Sequence, residues 1–260
     1  MSDIQIDLQD VSKAFGDHTA VRDVTLQIPA GQLFACLGPN GAGKTTIIKL
    51  LTGLLRPSQG RVLVAGADMS HNTAQHRQPL SYVPDEPYLY DKLSGREFLE
   101  FTRDIYGMEP SSTAARIDEL ISILEIGNYV DELSETYSHG MRQRVVFAAA
   151  LLHSPRVLVV DEPMVGLDPK SVRVVKDLLR SAANAGCTIF MATHTLSVAE
   201  ELADRIGILN QGSLTHCGTL SELQTELQSA GTSLEDLFLQ ATAAAADSED
   251  VAHPSASESA

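Results

Sequence analysis

The run Gly38-Pro39-Asn40-Gly41-Ala42-Gly43-Lys44-Thr45-Thr46 constrains the fold of this chain more than any other stretch. Gly38 and Gly43 bracket four residues and are followed by Lys44 and Thr45, the spacing of a turn whose backbone N–H groups cradle phosphates. Its flanks agree with that reading. Leu33 to Leu37 is a short apolar run of buried-strand type, and Thr45 to Leu55 has the apolar spacing of a helix. The glycines let the backbone curl toward an anion, and the dipole of the following helix adds positive potential. Lys44 is placed to reach the terminal phosphates and the Thr45 hydroxyl to ligate Mg²⁺, so the chain is expected to hold a nucleoside triphosphate.

A second apolar run, Val157-Leu158-Val159-Val160, lies between Pro155 and Pro163 and ends in the paired acids Asp161-Glu162. Such a run predicts a strand buried on both faces, and parallel α/β sheets bind their ligands at the carboxyl ends of strands. Asp161 is therefore the expected Mg²⁺ partner, through a water or from just outside the ion's own ligands, and Glu162 is placed to orient or deprotonate an attacking water. A third run, Thr188-Ile189-Phe190-Met191-Ala192-Thr193-His194, also ends in polar groups.

Tyr137-Ser138-His139-Gly140-Met141-Arg142-Gln143-Arg144 precedes an apolar helix that spans Val145 to Leu152. Ser138 is suited to cap that helix, and the N–H groups of the first turn would offer a second anion site. With these residues in view, the chain resembles the ATP-binding cassette family from about Ile4 to Gln240. Ser138 and Gly140 match the Ser and Gly of the family's Leu-Ser-Gly-Gly-Gln signature, whereas Tyr137, His139 and Met141 depart from it. The order of phosphate turn, signature, acidic strand and later His carries the resemblance.

The resemblance implies a RecA-like α/β core with a small N-terminal antiparallel β region and an α-helical subdomain presenting the signature. It implies ATP and Mg²⁺ as ligands, with ATP held by Gly38 to Thr46 of one chain and by Ser138 and Gly140 of another. The two chains would pair head to tail, as a homodimer or with a paralogue. His194 would contact the terminal phosphate, Gly166-Leu167-Asp168-Pro169 would be the loop at the dimer contact, and Phe15 would stack on adenine. For Phe15, a core or hairpin role stays open. After Tyr82-Val83-Pro84, Asp85 stands where the family commonly has Gln, which makes it a candidate metal-side residue, with Glu86 as the neighbour that could take the role instead.

Function at the level of the whole assembly is implied by the family: an ATPase subunit that drives a separate transmembrane permease, most like the subunits of small exporters. The loop around Asp85 and the helical insert would receive the permease. Tyr88, Leu89 and Tyr90 either form that contact or belong to the core of the insert. A soluble cassette protein of translation or DNA repair and a low-turnover nucleotide-binding regulator are the competing classes. One cassette and no heptad run speak against the first of these.

At 260 residues and 43% hydrophobic content, the chain can bury a sizeable core. No apolar stretch approaches the roughly 18 residues that cross a bilayer, and Met1-Ser2-Asp3-Ile4-Gln5 lacks a signal-peptide pattern. The expectation is a cytosolic protein, peripheral on the inner face of the membrane through its permease. Cys36, Cys187 and Cys217 are distant from one another and lack metal-ligand spacing, which predicts reduced thiols. A net charge of −15 argues against a nucleic-acid surface.

Beyond Arg205 the chain has no Lys or Arg and carries eight acids. Leu220, Leu223 and Leu227, then Leu234, Leu237 and Phe238, have helical spacing, with Ser233 and Asp236 as a capping box. These helices are expected to pack on the core. The chain thus divides into one cassette domain over 1–240, with the helical insert at about 87–152, and an acidic Ala/Ser tail over 241–260 that is expected to be disordered.

Overall fold

Three uninterrupted apolar runs make the centre of the protein: β3 (Leu33–Leu37), β7 (Val157–Asp161) and β8 (Thr188–Thr193) are buried along their whole length. Strands covered on both faces have no polar side, which is why these runs do not alternate. The computed structural model describes residues 3–71, 73–227 and 233–250.

In chain order, β1 (Ile4–Phe15) and β2 (His18–Pro29) form a hairpin that leads into β3, the glycine turn and α1 (Lys44–Leu51). Then come β4 (Gln59–Val64), β5 (Ala67–Asp68), α2 (Ala74–Arg77) and β6 (Leu80–Val83). The helices α3 (Gly95–Ile105), α4 (Pro110–Ile123) and α5 (His139–Leu151) follow without a strand between them. Then β7, α6 (Pro169–Asn184), β8 and α7 (Leu196–Leu202) lead to β9 (Arg205–Asn210), β10 (Ser213–Gly218), α8 (Leu220–Glu226) and α9 (Leu234–Asp250).

The central sheet has the order β10-β9-β3-β8-β7-β6, parallel except for β10 on the edge. Leu37 pairs with Thr193 and Asp161 with Ala192, so the carboxyl ends of β3, β7 and β8 are level. The N-terminal antiparallel region is a four-stranded sheet, β2-β1-β4-β5. It recruits β4 and β5 from beyond the glycine turn, a pairing that local sequence does not announce.

Alternation along β3 feeds two cores. Phe34 and Cys36 face the antiparallel sheet and α1, with Val157, Val159 and Phe190; the Phe34 and Phe190 rings stack at 5.8 Å. Leu33, Ala35 and Leu37 face the helices, with Leu158, Val160, Phe147 and Leu179. Leu223, Leu234 and Leu237 of α8 and α9 join this second core, as their spacing predicts. Burial pushes the Cys36 and Cys187 thiols up to about 12, so both stay protonated and unreactive at neutral pH.

Two further helix starts are capped by their own side chains. Ser94 and Glu97 form a complete capping box at α3. At α9 the Asp236 N–H donates to Ser233 Oγ at 3.3 Å, while the Ser233 hydroxyl donates to the Asp236 carboxylate at 2.7 Å, in place of the reciprocal backbone bond of a full box.

Two expectations are corrected. The helix after the glycine turn ends at Leu51 rather than Leu55, because Gly53 adopts φ +67° and turns the chain; Leu54 beyond it is 59% exposed. Disorder from Ala241 does not hold for 241–250, because α9 continues to Asp250. The Ala-rich segment has the highest intrinsic helix propensity, Ala241 is buried, and Asn210 Nδ2 donates to the Thr242 carbonyl at 3.3 Å, tying the helix to β9. Residues 251–260 of the expected tail lie outside the described residues. Among the described residues, no helix is long and apolar enough to cross a membrane.

Candidate nucleotide-binding site

The glycine turn begins where β3 ends, and its shape depends on the absence of side chains. A Cβ on Gly38 would stand 2.5 Å from the Leu209 carbonyl oxygen. One on Gly43 would stand 2.5 Å from the Ala20 carbonyl oxygen, at φ +109°, a conformation that L side chains avoid. Gly43 is also the N-cap of α1 and offers no side-chain acceptor, which leaves the first-turn N–H groups for a ligand. Lys44, only 8% exposed, arches back over the turn, its ammonium donating to the Gly38 carbonyl and, at 3.1 Å, to that of Pro39.

This turn forms one side of a cavity of about 440 Å³ whose wall runs from Pro39 through Asn40, Gly41, Ala42 and Gly43 to Thr46. Asp85, Asp161 and Glu162 supply the opposite side. Phe15 and His18 stand on its wall from either side of the β1–β2 turn, where they pair. Phe15 is 48% exposed, with the Lys13 ammonium 5.1 Å from its ring centre, so it is a surface residue of the cavity and not part of the core.

Asp161 ends β7 and is 8% exposed. Burial, reinforced by the negative charges of Glu162 and Asp85, pushes its carboxyl up to about 6, against the pull of Lys44 and Lys49. A divalent cation would relieve that excess negative charge. The available donors, Thr45 hydroxyl, Asp161 and Asp85, are hard oxygen ligands that suit Mg²⁺. No group of three or more His, Cys, Asp or Glu among the described residues forms an all-protein metal cage. The set therefore fits an ion that takes one or two carboxylates and draws its remaining ligands from substrate phosphates and water.

Glu162 occupies the left-handed region at φ +45°, a conformation costly for a residue with a side chain. Its N–H donates to Ala192 O at 2.9 Å, which pins the strained residue to β8. Oε1 lies 2.8 Å from His194 Nδ1. Since an ionised carboxylate only accepts, Nδ1 carries the hydrogen in this contact. Oε2 accepts from the Thr193 hydroxyl at 2.9 Å and from the His194 N–H at 3.3 Å. His194 is thus brought to Glu162 by the level ends of β7 and β8. Thr193 is a contact that sequence reasoning missed; its only signal is a hydroxyl ending an apolar strand. His18 was missed as well.

Ser138 and Gly140 do not line this cavity. Ser138 caps α5, accepting from the Met141 N–H at 3.3 Å as its position predicts. Gly140 lies against Leu167, and the His139 ring packs on Gly166, so the first turn of α5 meets the 166–169 loop. In that loop Asp168 caps α6 by accepting from the Lys170 and Ser171 N–H groups at 3.0 and 3.1 Å. The Tyr137 side chain is buried. Its hydroxyl accepts from the Gly95 N–H at 3.0 Å and lies 2.9 Å from both the Tyr129 and Glu132 carbonyl oxygens, binding the start of α5 to the start of α3.

Tyr88, Leu89 and Tyr90 differ in burial. Leu89 is core at 1% exposure, whereas Tyr88 is 70% and Tyr90 46% exposed. Tyr90 packs edge-on against Tyr88 and Phe101.

Comparison with known proteins agrees with this geometry. A sequence model of the family described as ABC transporter matches residues 21–165. The chain is 34% identical over 219 residues to the linearmycin resistance ATP-binding protein LnrL of Bacillus subtilis (strain 168), covering 84% of this chain and 70% of that protein. It is 35% identical over 226 residues to the daunorubicin resistance ATP-binding protein DrrA3 of Streptomyces coeruleorubidus, covering 87% of this chain and 72% of that one.

Among solved structures, an ATP-binding subunit of an ABC transporter superposes with a TM-score of 0.87 at 28% identity, over 91% of this chain and 99% of the other. A dimeric ATP-binding cassette in a post-hydrolysis state with ADP and Pi shares the fold, with a TM-score of 0.75 at 24% identity over 83% and 98% of the two chains. The family model over more than half of the chain and these relatives, on a fold that puts a glycine turn beside Asp161 and Glu162, show that the chain belongs to the ABC transporter family, as an ATP-binding and ATP-hydrolysing subunit.

Proposed function

We propose that this subunit powers a separate transmembrane permease of exporter type, working as a head-to-tail dimer with a second copy or a paralogue. Gly38 to Thr46 hold the ATP phosphates, Lys44 neutralises the terminal ones, and Phe15 carries the adenine. Thr45, Asp161 and Asp85 hold Mg²⁺, which when bound offsets negative charge on the phosphates. Glu162 takes a proton from the attacking water, and His194 orients Glu162 and faces the terminal phosphate. Ser138 and Gly140 complete the partner's site. Their separation from the cavity of their own chain supports this arrangement.

For the permease, the supporting observation is an apolar groove of about 760 Å³ between β6 and the helices, walled by Leu54, Tyr88, Phe98, Ile105, Tyr106 and Val146. Tyr88, Ile105 and Leu54 are 70%, 64% and 59% exposed, the kind of apolar surface that marks a partner site. Resistance proteins among the relatives support the exporter reading. The protein then sits on the inner face of the membrane, held there by its permease, and uses no nucleic acid.

The convergence of Lys44, Asp161 and Glu162 on one cavity carries the catalytic part of this reading. Glu162→Gln keeps the shape and loses the base, so it should bind MgATP, turn over at least about a hundredfold more slowly, and accumulate an ATP-dependent dimer on size-exclusion chromatography. Wild-type turnover in this variant would remove Glu162 from the mechanism.

A further inference from the structure

The two oxygens of the Glu162 carboxylate are not equivalent. An ionised carboxylate oxygen has two lone-pair positions in its plane. Oε2 fills both, one with the Thr193 hydroxyl at 2.9 Å and one with the His194 N–H at 3.3 Å. Among the described residues, Oε1 has one hydrogen-bond contact, His194 Nδ1 at 2.8 Å. Resting on the reading of Glu162 as base, we infer that Thr193 is a positioning residue that locks the carboxylate through Oε2 and thereby makes Oε1 the oxygen that receives the proton.

The fold gives Thr193 the means to do this. It is the last residue of β8, 2% exposed, and paired in register with Leu37, the residue before the glycine turn. Its hydroxyl donates to Oε2 and accepts from the Thr195 N–H at 3.0 Å, so both of its functions are engaged and its rotamer is set. One strand end thus fixes the position of the phosphate turn and the orientation of the base. Rotation about the last carboxylate torsion is soft by nature. Two donors on one oxygen and a third on the other remove that freedom.

In the hydrolysis step, a water O–H bond breaks and its proton goes to Oε1. The water oxygen bonds to the terminal phosphorus while the bond from phosphorus to the bridging oxygen breaks, and that electron pair leaves with ADP. Thr193 touches none of the reacting atoms. Its contribution is to keep Oε1 turned toward the water while Oε2 is occupied.

The test uses the whole 260-residue chain. Thr193→Val preserves the volume and β-branching and deletes the hydroxyl. It should lower kcat about tenfold, leave KM and the calorimetric affinity for MgATP within about twofold, and leave the melting temperature within a few degrees. Thr193→Ser, which keeps the hydroxyl, should restore kcat. Placed in Glu162→Gln, Thr193→Val should cause no further loss, because there is no base left to position.

Wild-type kcat in Thr193→Val overturns the assignment. So does a full tenfold loss in the Glu162→Gln background, which would place the effect elsewhere. If the Val variant melts below the assay temperature, Thr193→Ser and Thr193→Ala decide, since only the Ala variant should lose kcat. Fast turnover in Glu162→Gln would defeat the reading of the base itself. Slow Glu162→Gln together with unaffected Thr193→Val would defeat only the role of Thr193.

Discussion

His153 gives this protein a built-in loss of stability on mild acidification. Its ring stacks on Tyr106 at 3.8 Å between centroids and 16° between planes, behind the groove wall. Ser81 Oγ is 3.4 Å from Nε2, and the Ser81 hydroxyl is already committed as donor to the Ala150 carbonyl at 2.6 Å. Ser81 can therefore only accept from the ring, which puts the hydrogen on Nε2. Nδ1 is buried with no hydrogen-bond partner among the described residues. Burial accordingly pushes the imidazole down from 6.5 to about 4, although the carbonyls of Leu80 and Gln78 pull the other way.

The sign follows from which state binds the proton. Between pH 6.5 and about 4 the unfolded chain is protonated at this position and the folded one is not, so stability falls as pH drops through that window. Near pH 7 the effect is small. At pH 5 the loss from this one group is about 2 kcal/mol, at roughly 1.4 kcal/mol per unit of separation. His153→Phe keeps the stack and removes the titration. Urea unfolding at pH 7 and pH 5 should show wild type losing about 2 kcal/mol more than the variant between those conditions. Parallel losses in the two proteins would refute the reasoning, because they would mean that His153 is protonated with equal ease folded and unfolded.

Lys44→Ala should weaken MgATP binding more than about tenfold by calorimetry, since charge-assisted contacts to phosphate are made in the ground state; unchanged affinity would contradict the placement of Lys44. Asp85→Gln should require more Mg²⁺ for half-maximal ATPase while keeping a maximal rate equal to or above that of the parent, because it removes an anionic ligand and also a charge beside the transferred phosphoryl group. A shift in Glu86→Gln instead would move the metal-side role by one residue. Tyr88→Ala should reduce recovery with membranes while leaving the melting temperature within about 2 °C, as expected for a side chain that is 70% exposed; a larger drop in melting temperature would assign Tyr88 to the core.

Much of the site was legible in the sequence because its parts are local. The glycine turn, the strand that leads into it and the cap at Ser138 depend on backbone conformations and hydrogen bonds among residues a few positions apart. Apolar runs ending in Asp161 and Thr193 likewise announce strands buried on both faces. The same local reasoning misjudged 241–250, where a composition read as tail-like is also the best helix-forming composition, and a neighbouring strand gives that helix something to pack on.

Only tertiary structure could decide contacts that depend on register between distant segments. Glu162 and Thr193 are 31 residues apart and meet because β7 and β8 end level, a relation fixed by strand pairing and not by either strand's sequence. The burial of Leu89 beside an exposed Tyr88, and the exposure of Phe15 on the cavity wall, were open for the same reason. A side chain's type states what it can do, but which surface it faces is set by the elements packed around it.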